Sequence, residues 1–288
     1  MALLPANDPT LAVLATMAFC GALLHVLNHG LFKGLLFLHA GSMLHATGTQ
    51  DLNRMGGLMQ YMPLTAITAL IASFSISGVP LFNGFVSKWS IYVATIQGSS
   101  FARYLALCAV IAILTSALTL ASFIKFFGVS FLCRSSELVK EKAKHGRLEV
   151  AWTMQGPQVL LAFLCVLLGV VPAVGFGLMH RALEASRGGV GTTLADSWPT
   201  QFGFSGAIAV QHTSVFSPLA LLSILGATLA LSYAISRMGK APRRVAVPWL
   251  CGYAREADCH RYVAHNFYGE IKRYFGWLGG TPHPLKRL

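Results

Sequence analysis

Acidic side chains are few in this chain, ten Asp and Glu among 288 residues, and none falls inside its long apolar runs. Charge of either sign is scarce, at 11% of residues where a soluble domain carries about 25%. That shortage excludes an ordinary water-surrounded surface. Cysteine is also sparse. Cys20, Cys108 and Cys165 lie within apolar runs, where a thiol behaves as a small hydrophobe, and Cys133 sits at the end of one. No disulfide framework is expected. Cys251, Cys259, His260 and His265 gather near the C-terminus at spacings that fit no standard zinc site, so no metal is expected. The N-terminus has no basic stretch ahead of its first apolar run, which argues against a cleaved signal peptide. Internal repeats and low-complexity tracts are lacking as well.

What is present is apolar length. Hydrophobic residues make up 55% of the chain, and a membrane crossing needs roughly 20 of them in sequence. Five segments qualify, near 10–46, 63–97, 101–133, 156–180 and 214–236. Lipid offers the backbone no hydrogen-bond partners, so these segments must be helices. The expected fold is all-α, a polytopic transmembrane helix bundle of about five spans. Residues 1–236 would form the bundle and 237–288 a basic cytoplasmic tail. In that tail "HRYVAHNFYGEIKRYFGWL", 260–278, mixes Lys and Arg with aromatics as an amphipathic helix lying at the interface does. The charged 134–155 loop is expected to carry a surface helix.

A net charge of +12 raises the question of nucleic acid, and placement answers it. The loops 47–62 and 134–155 and the tail from 237 hold sixteen Lys and Arg, whereas Arg103, Arg181 and Arg187 are the three on the other side. This is the positive-inside pattern, which places the N-terminus outside and the C-terminus in the cytoplasm. The basic charge therefore reports topology, and no nucleic-acid partner is expected.

Two irregularities stand out. In "SISGVPLFNGFVSKW", Gly78, Pro80, Asn83 and Gly84 fall in mid-segment. Proline removes a backbone donor and glycine frees the backbone, so a broken helix is expected. Such breaks are tolerated at membrane depth where they face protein or a wet cavity. In "LLHVLNHGLFKGLLFLHAG", His25, Asn28, His29, Lys33 and His39 interrupt an oily run. At about 100° per residue they share one helical stripe roughly 140° wide. A charge at the bilayer centre costs about 2.5–3.5 kcal/mol or more, so the stripe should face helices or water.

Three readings of the stripe compete. A structural face that glues helices by hydrogen bonds explains Asn28 and one histidine but not Lys33. Haem ligation by His25 and His39 would need a similar histidine pair on a second span, which the sequence does not have. A proton or cation relay suits imidazoles, which titrate near neutral pH, and amines withdrawn from water. Lys88, just after the break, and Lys125, one span later, extend that reading, although Lys125 lies near enough to a span end to snorkel. Lys33, Lys88 and Lys125 have no acidic counter-charge in any span. Either they are often neutral or another subunit supplies the charge.

The runs "NHGLFKGLLFL", "SGVPLFNGFVSKW" and "SFIKFFGVSFL" resemble the antiporter-like membrane subunits of complex I, the Mrp cation/proton antiporters, and the energy-converting hydrogenases with formate hydrogenlyase. The "IKFFG" run and the "PWLCGY" tail look most like the hydrogenase branch. The resemblance implies that Lys33 is the central relay lysine, that Lys88 is the exit-side group, and that His25 and His29 are the motif histidines. It implies a proton-translocating membrane subunit of a complex I-like (NADH–quinone oxidoreductase-like) or hydrogenase-like complex in a prokaryotic inner membrane. An Mrp-type antiporter subunit and a structural scaffold that docks peripheral subunits are the alternatives. The chain would correspond to the family's C-terminal portion, with a partner or upstream segment supplying the N-terminal helices. Other expected partners are membrane subunits, peripheral redox subunits and the lipid bilayer. No flavin, iron–sulfur or quinone site is evident, so no cofactor is expected in this chain.

Overall fold

The computed structural model describes residues 9–185, 217–239, 249, 252, 261–264 and 269–278. Among them every regular element is helical: α1 (Pro9–Thr47), α2 (Pro63–Ser77), α3 (Asn83–Gly98), α4 (Tyr104–Phe127), α5 (Glu137–Lys144), α6 (Trp152–Val170), α7 (Pro172–Glu184), α8 (Pro218–Met238) and a short helix Gly269–Tyr274. Four stretches are long and apolar enough to cross a membrane: Leu14–Thr47, Tyr104–Leu132, Trp152–Val170 and Pro218–Met238. The protein is an integral membrane protein.

The remaining predicted span is divided. α2 has 15 residues and α3 has 16, each short for a crossing on its own. Between them the chain leaves the helix after Ser77 and re-enters it at Asn83. Gly78 and Pro80 therefore lie in the interruption, whereas Asn83 and Gly84 open α3 rather than break it. The segment expected as one span over 156–180 is also two helices. Proline biases the preceding residue away from α, and Val171 sits at φ −120°, ψ 68° ahead of Pro172, the first residue of α7. The tail differs from the expected helix over 260–278. Residues 261–263 are not helical, and Gly269–Tyr274 is followed by a separate 3₁₀ turn, Gly276–Leu278. The 134–155 loop does carry a helix, α5, whose Ser136 hydroxyl accepts from Val139 N at 3.2 Å.

The chain forms two compact units. The first comprises residues up to 36, 71–120 and 159–241; the second comprises 37–70, 121–158 and 242 onward. In the first, Met17 and Leu24 of α1 pack with Val86, Val93 and Ala94 of α3 and Phe176 of α7. Glycine permits its closest approaches. A Cβ on Gly84 would overlap the Ser75 carbonyl, and one on Gly169 the backbone of Leu81 and Phe82.

In the second unit, Met43, Met55, Leu58, Met62, Phe127, Phe131, Val139 and Leu148 belong to one apolar cluster. Three polar segments meet beside it. Ser136 Oγ donates to Arg54 O at 2.8 Å. The Arg261 guanidinium, 6% exposed, donates to the carbonyls of Met55 and Asn53. Cys133 Sγ donates to Tyr262 O at 3.2 Å. The loops 47–62 and 134–155 and part of the tail, placed on one membrane side by charge alone, are thus joined in space.

Candidate functional site

The break between α2 and α3 is built from its sequence. Gly78, at φ 76°, takes the left-handed position that ends a helix in a Schellman motif. Val79 N donates to Phe74 O at 3.0 Å and Gly78 N to Ser75 O at 3.2 Å, the two bonds that motif requires. Phe82 N then donates to Val79 O at 3.2 Å, closing a turn with Pro80 second and Leu81 third. These bonds satisfy the carbonyls of Phe74 and Ser75 and leave that of Ile76 open. Lys88 supplies the missing donor from α3, with Nζ 2.9 Å from Ile76 O. A cation at a helix C-terminus also meets the negative end of the helix dipole.

α1 passes alongside. Asn28 Nδ2 donates to Asn83 O at 2.8 Å, and Asn83 Nδ2 donates to Asn28 Oδ1 at 3.2 Å. The reciprocal pair fixes the start of α3 against α1, which is what a buried amide in an apolar run is for. His25 Nδ1 lies 2.9 Å from Ser87 Oγ, one turn further on. His29 follows His25 by one turn of α1, with ring centroids 6.2 Å apart, and meets the Phe32 edge at 5.3 Å.

A cavity of about 390 Å³ is lined by His25, His29 and Lys88 together with Tyr92 of α3 and Thr115, Ser116 and Thr119 of α4. Tyr92 Oη lies 2.5 Å from Ser116 Oγ, tying α3 to α4 at its wall. The lining joins two imidazoles, one amine and four hydroxyls, and no carboxylate takes part. It is a set of groups that can exchange protons with water.

The predicted relay residues are therefore divided. His25, His29 and Lys88 share the cavity. Lys33 is half-buried on α1 but does not line it, and no hydrogen bond or ion pair to it occurs among the described residues. Lys125 is in the last turn of α4, half-buried, and belongs to the second unit. His39 is fully buried in the second unit. Tyr92, Thr115, Ser116 and Thr119 were missed. The signal for the last three was available in α4, where the hydroxyls at 115, 116 and 119 share one helical face of an otherwise oily helix. No group of three or more His, Cys, Asp or Glu able to hold a metal occurs among the described residues. Cys251, Cys259, His260 and His265 lie outside them.

Fold and site together define a helical membrane protein with a broken helix and titratable groups gathered at the break. Residues 10–119 match the family described as NADH:quinone oxidoreductase/Mrp antiporter, transmembrane. This stretch belongs to the antiporter-like family. The chain is 34% identical over 259 residues to hydrogenase-4 component B of Escherichia coli K12, covering 87% of this chain and 36% of that protein. It is 28% identical to formate hydrogenlyase subunit 3 of the same organism, covering 91% of this chain and 40% of the relative. An Na(+)/H(+) antiporter subunit A1 of Staphylococcus saprophyticus is 35% identical over 181 residues, 61% of this chain and 22% of that subunit. The chain thus spans well under half the length of these relatives. A chain of an archaeal membrane-bound sulfane sulfur reductase shares the fold, with a TM-score of 0.71 at 22% identity over 92% of this chain and 40% of the other.

Proposed function

We propose that this chain forms part of the proton-translocating membrane subunit of a hydrogenase-like or complex I-like oxidoreductase. The observation that carries the reading is the cavity at the helix break, where His25, His29 and Lys88 meet four hydroxyls. Imidazole and amine can each hold and release a proton, and the break opens backbone that an intact helix would close. Lys33 and Lys125 would continue the path beyond the cavity. The similarity to hydrogenase-4 component B and formate hydrogenlyase subunit 3 supports the redox setting. Electron transfer would belong to peripheral partner subunits, and other membrane subunits or an upstream segment would complete the channel. The setting is a prokaryotic cytoplasmic membrane with the N-terminus outside, supported by the sixteen-to-three division of Lys and Arg.

The test is proton pumping by the assembled complex in vesicles. Lys88→Ala and Lys33→Ala should each abolish acidification while assembly persists. Undiminished pumping by both would end the relay reading. A second reading, an Mrp-type cation/proton antiporter subunit without redox chemistry, is favoured by the 35% identity to the staphylococcal subunit. Sodium-driven proton movement in the absence of any electron donor would select it.

A further inference from the structure

Glu149 reads in the sequence as one more charge of the 134–155 loop. In the second unit it is folded onto the start of α2. Its Oε2 accepts from Leu64 N at 3.0 Å, and its Oε1 accepts from Thr65 Oγ1 at 2.6 Å. Thr68 follows Thr65 by one turn on the same face of α2. Thr68 Oγ1 lies 2.9 Å from His39 Nε2 and within 3.1 Å of the carbonyls of Leu64 and Thr65. Thr65, Thr68 and His39 are buried, and Glu149 is half-buried. The other ring nitrogen of His39, Nδ1, is buried with no hydrogen-bond partner among the described residues. The immediate neighbours in sequence, Ala66, Ala69, Leu148 and Val150, are members of the apolar cluster.

A helix cap accounts for Glu149 alone. It does not account for a fully buried imidazole bonded to a hydroxyl on one side and orphaned on the other. An unpaired buried polar group costs roughly 1–3 kcal/mol, which an apolar side chain would avoid. Imidazole is the side chain that takes a proton at one ring nitrogen and releases one from the other near neutral pH. We infer that Glu149, Thr65, Thr68 and His39 form a second proton-transfer path, distinct from the cavity, that links the 134–155 loop to α1. It supplies the acid that the spans lack, and it rests on the proton-translocation reading above.

The transfer balances. A proton taken up on the Glu149 carboxylate passes to the Thr65 hydroxyl, which gives its own proton to a water spanning the turn to Thr68. Thr68 accepts from that water and gives its proton to Nε2 of neutral His39, and the Nδ1 proton leaves to a second water. One proton has crossed, and every group is restored when the imidazole returns to its starting tautomer.

The test uses the intact complex in membrane vesicles, with pumping and assembly measured on the same preparation. Glu149→Gln keeps one oxygen acceptor for Leu64 N, turns its amide N–H toward the Thr65 hydroxyl, and carries no acidic proton. Thr68→Val removes the hydroxyl at nearly constant shape. Both should assemble normally and slow pumping on the order of 100-fold, the scale of a positioned proton carrier. Thr68→Ser should restore the rate. Wild-type pumping by Glu149→Gln and Thr68→Val, in a preparation where Lys88→Ala has stopped it, overturns the path and leaves Glu149 a helix cap. Pumping that survives Lys88→Ala removes the parent reading, and the second path falls with it.

Discussion

Lys88 has two tasks that a single substitution confuses. Its ammonium adds to the capping of α2 by donating to Ile76 O, and it faces a cavity where a titratable amine is useful. Lys88→Ala loses both. Glutamine keeps an N–H donor and cannot titrate. Lys88→Gln should therefore leave the thermal stability of the purified complex closer to wild type than Lys88→Ala does, and should abolish pumping as completely. Equal destabilisation by both would show that the amide does not reach the carbonyl. The polar stripe of α1 divides in the same way at the level of single residues. Asn28 binds the backbone of Asn83 and is structural glue, as its burial and reciprocal bonds require. His25 and His29 border the cavity. The structural reading thus suits Asn28, and the relay role is the one proposed for His25 and His29.

At the scale of elements, the break depends on two close backbone approaches. Gly84 touches the Ser75 carbonyl across the break, and Gly169 of α6 touches the turn at Leu81 and Phe82. Leu81 holds a φ of 77°, a left-handed conformation that costs a non-glycine residue about 1–2 kcal/mol. The contact from α6 helps to hold it there. Gly84→Ala and Gly169→Ala should each destabilise by several kcal/mol, on the ~1–3 kcal/mol scale of overpacking or above it, because the clashing atoms are backbone and cannot rotate away. Gly177→Ala in α7, where a Cβ would meet nothing within 4 Å, should be neutral or slightly stabilising. Yields of assembled complex and melting temperatures in detergent distinguish the two sets. The split of α6 from α7 was also written in the sequence, since Pro172 stands between them. It was overlooked because hydropathy alone runs unbroken through the residue.

At the scale of the whole molecule, the distribution of Lys and Arg sets a testable topology. The exposed positions Lys142 and Ser100 fall on opposite sides of the membrane in the positive-inside assignment. In a chain relieved of its native cysteines, Lys142→Cys should react with an impermeant thiol reagent only from the cytoplasmic face, and Ser100→Cys only from outside. The reverse result would invert the orientation and place the Glu149 path on the other face. Within the tail, Arg261 is anchored. Arg261 donates two bonds into the 53–55 loop, a planar fork that lysine cannot reproduce.

The sequence by itself determined the helical class, the membrane setting, the interruption near Gly78 and Pro80, and the candidacy of His25, His29 and Lys88. Each follows from local chemistry. Apolar length demands helices in lipid, glycine and proline break them, and a titratable group inside an oily run is too costly to be idle. Tertiary structure alone decided which polar residues share a space. It separated Lys33 from the cavity, added hydroxyls from α4 to it, and carried Glu149 from a charged loop onto the start of α2. Those outcomes rest on contacts between residues 20 to 90 positions apart, to which helical periodicity is blind: Tyr92 with Ser116, and Glu149 with Thr65.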